Sequence, residues 1–145
     1  EFICPAGTSC DRPDGSIFLT SSDLELSKDG SRLQVVGIVF PSVVLAAGDA
    51  ASLSETRLVF DIDEIHAGVS DAPVTVRIFG ERSVNAAQPS AAIKDLTNRQ
   101  RTTATVEWSP PASESEHELL MSPDISAIIR EILQLPGCRG IRWQL

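Results

Sequence analysis

The stretch Gln34-Val35-Val36-Gly37-Ile38-Val39-Phe40 is apolar on both of its alternating faces. Leu33, Val35 and Val39 point one way and Val36, Ile38 and Phe40 the other, while Gly37 adds no side chain. Successive side chains of a strand leave opposite faces, so a strand of this composition is covered from both sides. It is expected to be a central strand of a layered β structure, entered from the turn K-D-G-S at Lys28 to Ser31 and ended by Pro41.

Upstream, Glu1 to Gly15 carries Cys4 and Cys10 together with Pro5, Gly7, Pro13 and Gly15, the composition of a loop or an extended arm. Ile17 to Leu19 and Leu24 to Leu26 are short strand candidates. Downstream, Ser42 to Ser54 is rich in small residues, with a turn expected at Gly48-Asp49. In Thr56 to Ile65, Leu58, Phe60 and Ile62 share one face and Arg57, Asp61 and Asp63 the other, the pattern of a half-exposed strand. Val74 to Glu81 repeats it, with Val74, Val76 and Ile78 opposite Thr75, Arg77 and Phe79. Periodicity fades from Arg82 to Arg101, a long connection with one helical turn expected near Ala91 to Leu96. Thr103 to Ser109 is a strand with Ala104, Val106 and Trp108 inward, ended by Pro110-Pro111.

One helix is expected, at about Pro123–Gln134. Ser122 suits the N-cap, Pro123 the first turn and Asp124 the positive end of the helix dipole. Ile125, Ile128, Ile129 and Ile132 follow the helical repeat and form one buried stripe, and Pro136-Gly137 stops the helix. A short strand from Ile141 to Leu145, with Trp143 in it, closes the chain. These elements predict a mostly β fold, a jelly-roll or Ig-like antiparallel β-sandwich with one short helix. The expected organisation is an N-terminal arm over residues 1–20 and a sandwich domain over residues 21–145.

With 145 residues the chain is large enough for one core, and its 42% apolar and 22% charged content is that of a globular protein. The net charge of −8 and the lack of clustered Lys and Arg argue against nucleic acid and anionic membranes as partners. No run approaches the ~20 apolar residues of a membrane-spanning helix, so no membrane insertion is expected. The start at Glu1 rather than Met is the expected mark of a removed signal peptide, which fits a secreted protein. Cys4, Cys10 and Cys138 are disulfide candidates. They are read as a small loop bridge plus one free thiol, as three free thiols, or as a bridge between segments or chains.

No residue pattern names a reaction, and the protein is expected not to be an enzyme. There is no G-x-S-x-G, no H-E-x-x-H and no glycine-rich phosphate loop. His66 and His117 lack motif spacing and are read as surface histidines. No cofactor is expected beyond Ca²⁺, for which Asp61, Asp63 and Glu64 are the candidate ligands; the alternative is a solvated strand face on an acidic protein. Asp23 and Glu25 form a weaker pair. Trp108 and Trp143 are candidates for a sugar-stacking platform, but Trp108 shares the face of Val106 and reads as core, and the chain has no Tyr. Thr102, Thr103 and Ser109 are candidate O-glycan acceptors, the alternative being an ordinary strand end.

Several blocks in order resemble one family. They are S-S-D-L-E-L at Ser21 to Leu26, D-G-S-R at Asp29 to Arg32, V-G-I-V-F at Val36 to Phe40, R-T-T-A-T-V-E-W-S-P-P at Arg101 to Pro111, and S-P-D-I-S-A-I-I-R-E-I with P-G ending at Gly137. The chain is similar over these blocks to the DNRLRE-like β-sandwich modules of large extracellular bacterial and algal proteins, a group related to polysaccharide-binding modules. The resemblance implies a jelly-roll-like sandwich, secretion and surface display, and transfers no catalytic residue. In the family further strands follow the P-G, whereas here Cys138 stands in place of an aromatic and Ile141 to Leu145 supplies at most one short strand.

A sandwich lacking a strand exposes inward apolar side chains and unpaired backbone. Filling it with about four apolar residues at ~2 kcal/mol each would contribute ~8 kcal/mol, comparable to a whole domain's net stability. Phe2, Ile3, Ile17, Phe18 and Leu19 in the arm are the candidates to fill it in a neighbouring copy, making a head-to-tail homopolymer. Two alternatives stand beside this: the arm folds back into its own groove, or the missing strands follow Leu145. The function expected is a structural subunit of an extracellular filament or surface coat; the alternative is a carbohydrate-binding or adhesion module for surface glycans.

Overall fold

The computed structural model describes residues 8–11, 15–19, 24, 26, 28–29, 32–33, 35–40, 44–65, 74–113, 115–138 and 141–142. In chain order the strands and helices are β1 Thr8–Asp11, β2 Ile17–Phe18, β3 Lys28–Asp29, β4 Arg32–Leu33, β5 Val35–Ile38, β6 Val44–Leu45, a 3-10 helix Ala47–Ala51, β7 Val59–Asp61, β8 Val76–Glu81, α1 Asp95–Asn98, β9 Arg101–Trp108, β10 Leu119–Met121, α2 Ser126–Leu133 and β11 Ile141–Arg142. The fold is mostly β, built of small antiparallel sheets, and α2, with 8 residues, is the longest helix among the described residues.

The Gln34–Phe40 stretch forms β5, whose four residues are all half-buried. Both its faces are covered. Leu96 of α1 lies against Gly37, and Ile38 packs on the cluster of Phe60, Trp108 and Leu120. The sheet order is β2-β1-β5, so among the described residues β5 pairs on one side alone. The strand beside it comes from the N-terminal arm. Thr8 faces Ile38, Ser9 faces Gly37, Cys10 faces Val36 and Asp11 faces Val35. Face coverage comes from side-chain packing and lateral pairing from backbone hydrogen bonds, so the first does not fix the second.

The longest ribbon is β8–β9, in register from Val76 opposite Trp108 to Phe79 opposite Thr105, with a bulge before Glu81 meets Arg101. Its inner residues alternate as the sequence predicts, and Trp108 is only 6% exposed. Trp108 stacks on Phe60, with ring centroids 5.3 Å apart and planes inclined by 26°. That stack joins the ribbon to β7–β10, in which Leu120 faces Phe60 and Met121 faces Val59. Strand β10 is absent from the sequence reading, because three residues after a polar loop are too short to show a period.

Helix α2 buries Ile125, Ile128, Ile132 and Leu133 with Ala50, against Ile78, Ala104 and Val106 of the ribbon. Ile78 and Leu58 touch both this cluster and the Phe60–Trp108–Leu120 cluster, so the two form one continuous core. The helix starts at Ser126 rather than Pro123. Ser122 does not cap it: the Leu58 N–H donates to the Ser122 hydroxyl at 2.9 Å, and the Ser122 N–H donates to the Leu58 carbonyl at 2.9 Å. The backbone of 122–125 is thus spent on bonding 56–58, and Asp124 takes the capping role by accepting from the Ser126 N–H at 2.9 Å.

The bulge in β9 and helix α2 fit each other. A Cβ on Gly80 would lie 2.7 Å from Ile132 Cδ1 and 2.9 Å from Ile128 Cγ2, so the helix approaches the ribbon where there is no side chain. The Gly80 N–H donates to Thr102 Oγ1 at 3.0 Å, and the Thr103 and Ala104 N–H groups donate to the Glu131 carboxylate at 2.9 and 2.7 Å. Backbone groups freed by the bulge are in this way satisfied by side chains.

The expected last strand is present over Ile141–Arg142, antiparallel to β6. The 3-10 helix stands where a turn at Gly48-Asp49 is expected, with Asp49 Oδ2 accepting from the Ala46 N–H at 2.8 Å. Leu24 and Leu26 pack beside Phe60 and Trp108.

Candidate functional site

The arm and its seat on β5 are the best-formed candidate for a site of assembly. Strand β1 has β5 on one side and β2 on the other, with Cys10 opposite Phe18 and Asp11 opposite Ile17. Of the sequence candidates, Ile17 is half-buried, while Phe18 is 47% and Leu19 38% exposed. Phe2 and Ile3 lie outside the described residues. The arm residues that make the backbone contact are thus Thr8–Asp11, which hydrophobicity could not single out because the segment is polar.

Over this seat lies the connection between β8 and β9. Its helical turn, α1, begins at Asp95, later than the Ala91–Leu96 expectation, because Lys94 holds a left-handed backbone with φ 59° and ψ 30°. α1 packs against both β1 and β5. The connection is gathered on Arg99, whose guanidinium donates to Glu81 Oε2 at 2.7 Å, Asp95 Oδ2 at 2.9 Å, the Ala87 carbonyl at 2.6 Å and the Gln88 carbonyl at 3.2 Å. Hydrogen bonds from Arg99 and from the Ser90 amide hold the Asp95 carboxyl below its ordinary range, and the bond to Asp95 raises the Arg99 guanidinium. Sequence reasoning missed Arg99: a single arginine in an aperiodic stretch carries no signal until the chain folds around it.

The acidic candidates do not converge. Asp61 ends β7 and sits 3.2 Å from His117 Nδ1, whereas Asp63 and Glu64 are exposed beyond the strand. Among the described residues no group of three or more His, Cys, Asp or Glu is placed to hold a metal ion. His117 is exposed, and His66, Asp23 and Glu25 lie outside the described residues.

The remaining candidates are scattered. Thr102 is only 4% exposed and its hydroxyl is engaged by Gly80 and Ala104, so it is closed to a glycan in the folded chain. Thr103 and Ser109 are exposed, and Ser109 Oγ lies 2.8 Å from Thr75 Oγ1. Trp108 is core and unavailable for sugar stacking, and Trp143 lies outside the described residues. Cys138 is a free thiol, half-buried against the α2 cluster. Cys10 is placed in β1, while Cys4 and any bridge it makes lie outside the described residues.

No protein-family model matches the chain, and neither does any curated protein or solved structure.

Proposed function

We propose that the protein is a non-enzymatic structural subunit of an extracellular filament or surface coat, held together by exchange of its N-terminal arm between copies. Within one chain the antiparallel pairing of Thr8–Asp11 with Val35–Ile38 is the arm folding back on its own sheet, the alternative set beside exchange; what supports the exchange reading is that β5 accepts this segment as a paired strand. The same segment of a second chain would offer the same backbone pattern to β5. Exchange therefore costs no new contact surface. The jelly-roll or Ig-like sandwich is part of the same proposal. It is supported by the Phe60–Trp108 stack, which sets a residue of β7 against one of β9 in a shared cluster. An acidic surface and an exposed apolar pair at Phe18 and Leu19 fit association through the arm rather than through a charged partner.

Sizing of the purified chain across concentrations, with and without residues 1–20, tests the proposal. Growing assemblies that vanish on removal of the arm are the expected result. A monomer at every concentration would sink it. Non-reducing mass analysis of the same material shows whether Cys4, Cys10 or Cys138 adds a covalent link between copies.

A further inference from the structure

We infer that the connection 82–100 is a clasp over the N-terminal arm, locked by Arg99, and that opening the clasp is what frees the arm from β5. Its consequence for assembly rests on the strand-exchange reading above, whereas the clasp itself does not.

One end of the clasp is a lock. The Arg99 side chain, 15% exposed, gathers the end of β8 at Glu81, the carbonyls of Ala87 and Gln88, and Asp95 at the start of α1. Asp95 Oδ2 in turn accepts from the Ser90 N–H at 2.8 Å. Four separate points of an otherwise aperiodic segment are therefore fixed through one guanidinium and its carboxylate partner. A planar fork of donors can do this, and a point charge cannot.

The other end grips the arm. The Lys94 N–H donates to the Gly15 carbonyl at 2.8 Å, which ties the segment between β1 and β2 to the clasp. Two residues on, Leu96 seats against Gly37 on β5. Beside them the Ile93 and Lys94 side chains lie against Gly15, where a Cβ would fall 2.7 Å from Ile93 Cγ2 and 2.9 Å from Lys94 Cγ, while Ile93 as a whole remains 72% exposed. Lys94 also holds a left-handed backbone, unfavourable for a residue with a Cβ, which the closed clasp must sustain. A lock on one guanidinium, a grip confined to Ile93, Lys94 and Leu96, and an unfavourable backbone at Lys94 together make a segment that opens as a unit before the β8–β9 ribbon does.

Amide hydrogen exchange on the full chain tests this. In Arg99→Gln, amides of residues 8–11 and 35–38 are expected to exchange about tenfold faster than in the parent, while those of 104–108 keep their rate. In Lys94→Gly, which removes the unfavourable backbone and keeps the N–H, the same arm amides are expected to exchange more slowly. Unchanged arm rates in Arg99→Gln would overturn the clasp. If Arg99→Gln accelerates exchange everywhere, Lys94→Gly decides: slower arm exchange upholds the clasp and an unchanged rate overturns it. Sizing of Arg99→Gln separates the two ideas. Faster arm exchange with no gain in assembly overturns strand exchange and leaves the clasp standing.

Discussion

Leu96 occupies the space where Gly37 has no side chain: a Cβ there would lie 2.8 Å from Leu96 Cδ2 and 3.0 Å from Cδ1. The contact joins the most apolar strand of the chain to a single-turn helix far from it in sequence. Gly37→Ala is expected to destabilise by about 1–3 kcal/mol through overpacking. Leu96→Ala should cost about 2–5 kcal/mol through the cavity it leaves. Because each substitution relieves part of the other, the double variant should be more stable than the sum of the two predicts. Urea unfolding of the four proteins measures the coupling.

The second close approach, at Gly80, makes the position of α2 testable. Gly80→Ala pushes against Ile128 and Ile132 and is expected to cost about 1–3 kcal/mol. Glu131→Ala removes the acceptor of the Thr103 and Ala104 N–H groups, and these two amides should lose protection from hydrogen exchange before their neighbours in β9. Glu131→Gln, which retains one oxygen, should restore part of it.

Acid should weaken the fold through three carboxylates. Hydrogen bonds from Arg99 and Ser90 lower Asp95, those from Ser126 and Thr56 lower Asp124, and those from Ala104 and Thr103 lower Glu131. A folded-state pKa below the unfolded one means that the unfolded chain binds protons first. The stabilisation is therefore complete above the ordinary values of 3.8 for the two aspartates and 4.5 for the glutamate, and is lost as pH falls through the lowered values. Thermal unfolding should show a flat midpoint above pH 5 and a steep fall below pH 4.

Trp108 offers a separate check on its assignment as core. Trp108→Ala should cost about 3–5 kcal/mol, and Trp108 fluorescence should be unaffected by added polysaccharide in the parent protein. Glycan attachment, if native material carries it on this strand, should map to Thr103 or Ser109 and never to the buried Thr102.

Much of the scaffold was legible because it rests on side-chain alternation. The two faces of β5, the inward set of Val76, Ile78, Ala104, Val106 and Trp108, and the Ile125–Ile128–Ile132 stripe all follow from spacing. What escaped was whatever depends on backbone partners distant in sequence. Ser122 reads as a cap but bonds Leu58, Arg99 gives no signal in the sequence but gathers Glu81, Ala87, Gln88 and Asp95, and β10 is defined by its pairing with β7. The pairing strand Thr8–Asp11 is polar and gave no sign.

The most direct test of the account is the mass of the purified full chain by light scattering over a wide range of concentrations, with electron microscopy of the same samples. Strand exchange through Thr8–Asp11 and Val35–Ile38 predicts a series of assemblies that lengthens with concentration and disappears when residues 1–20 are removed. A single monomeric mass at all concentrations would contradict it.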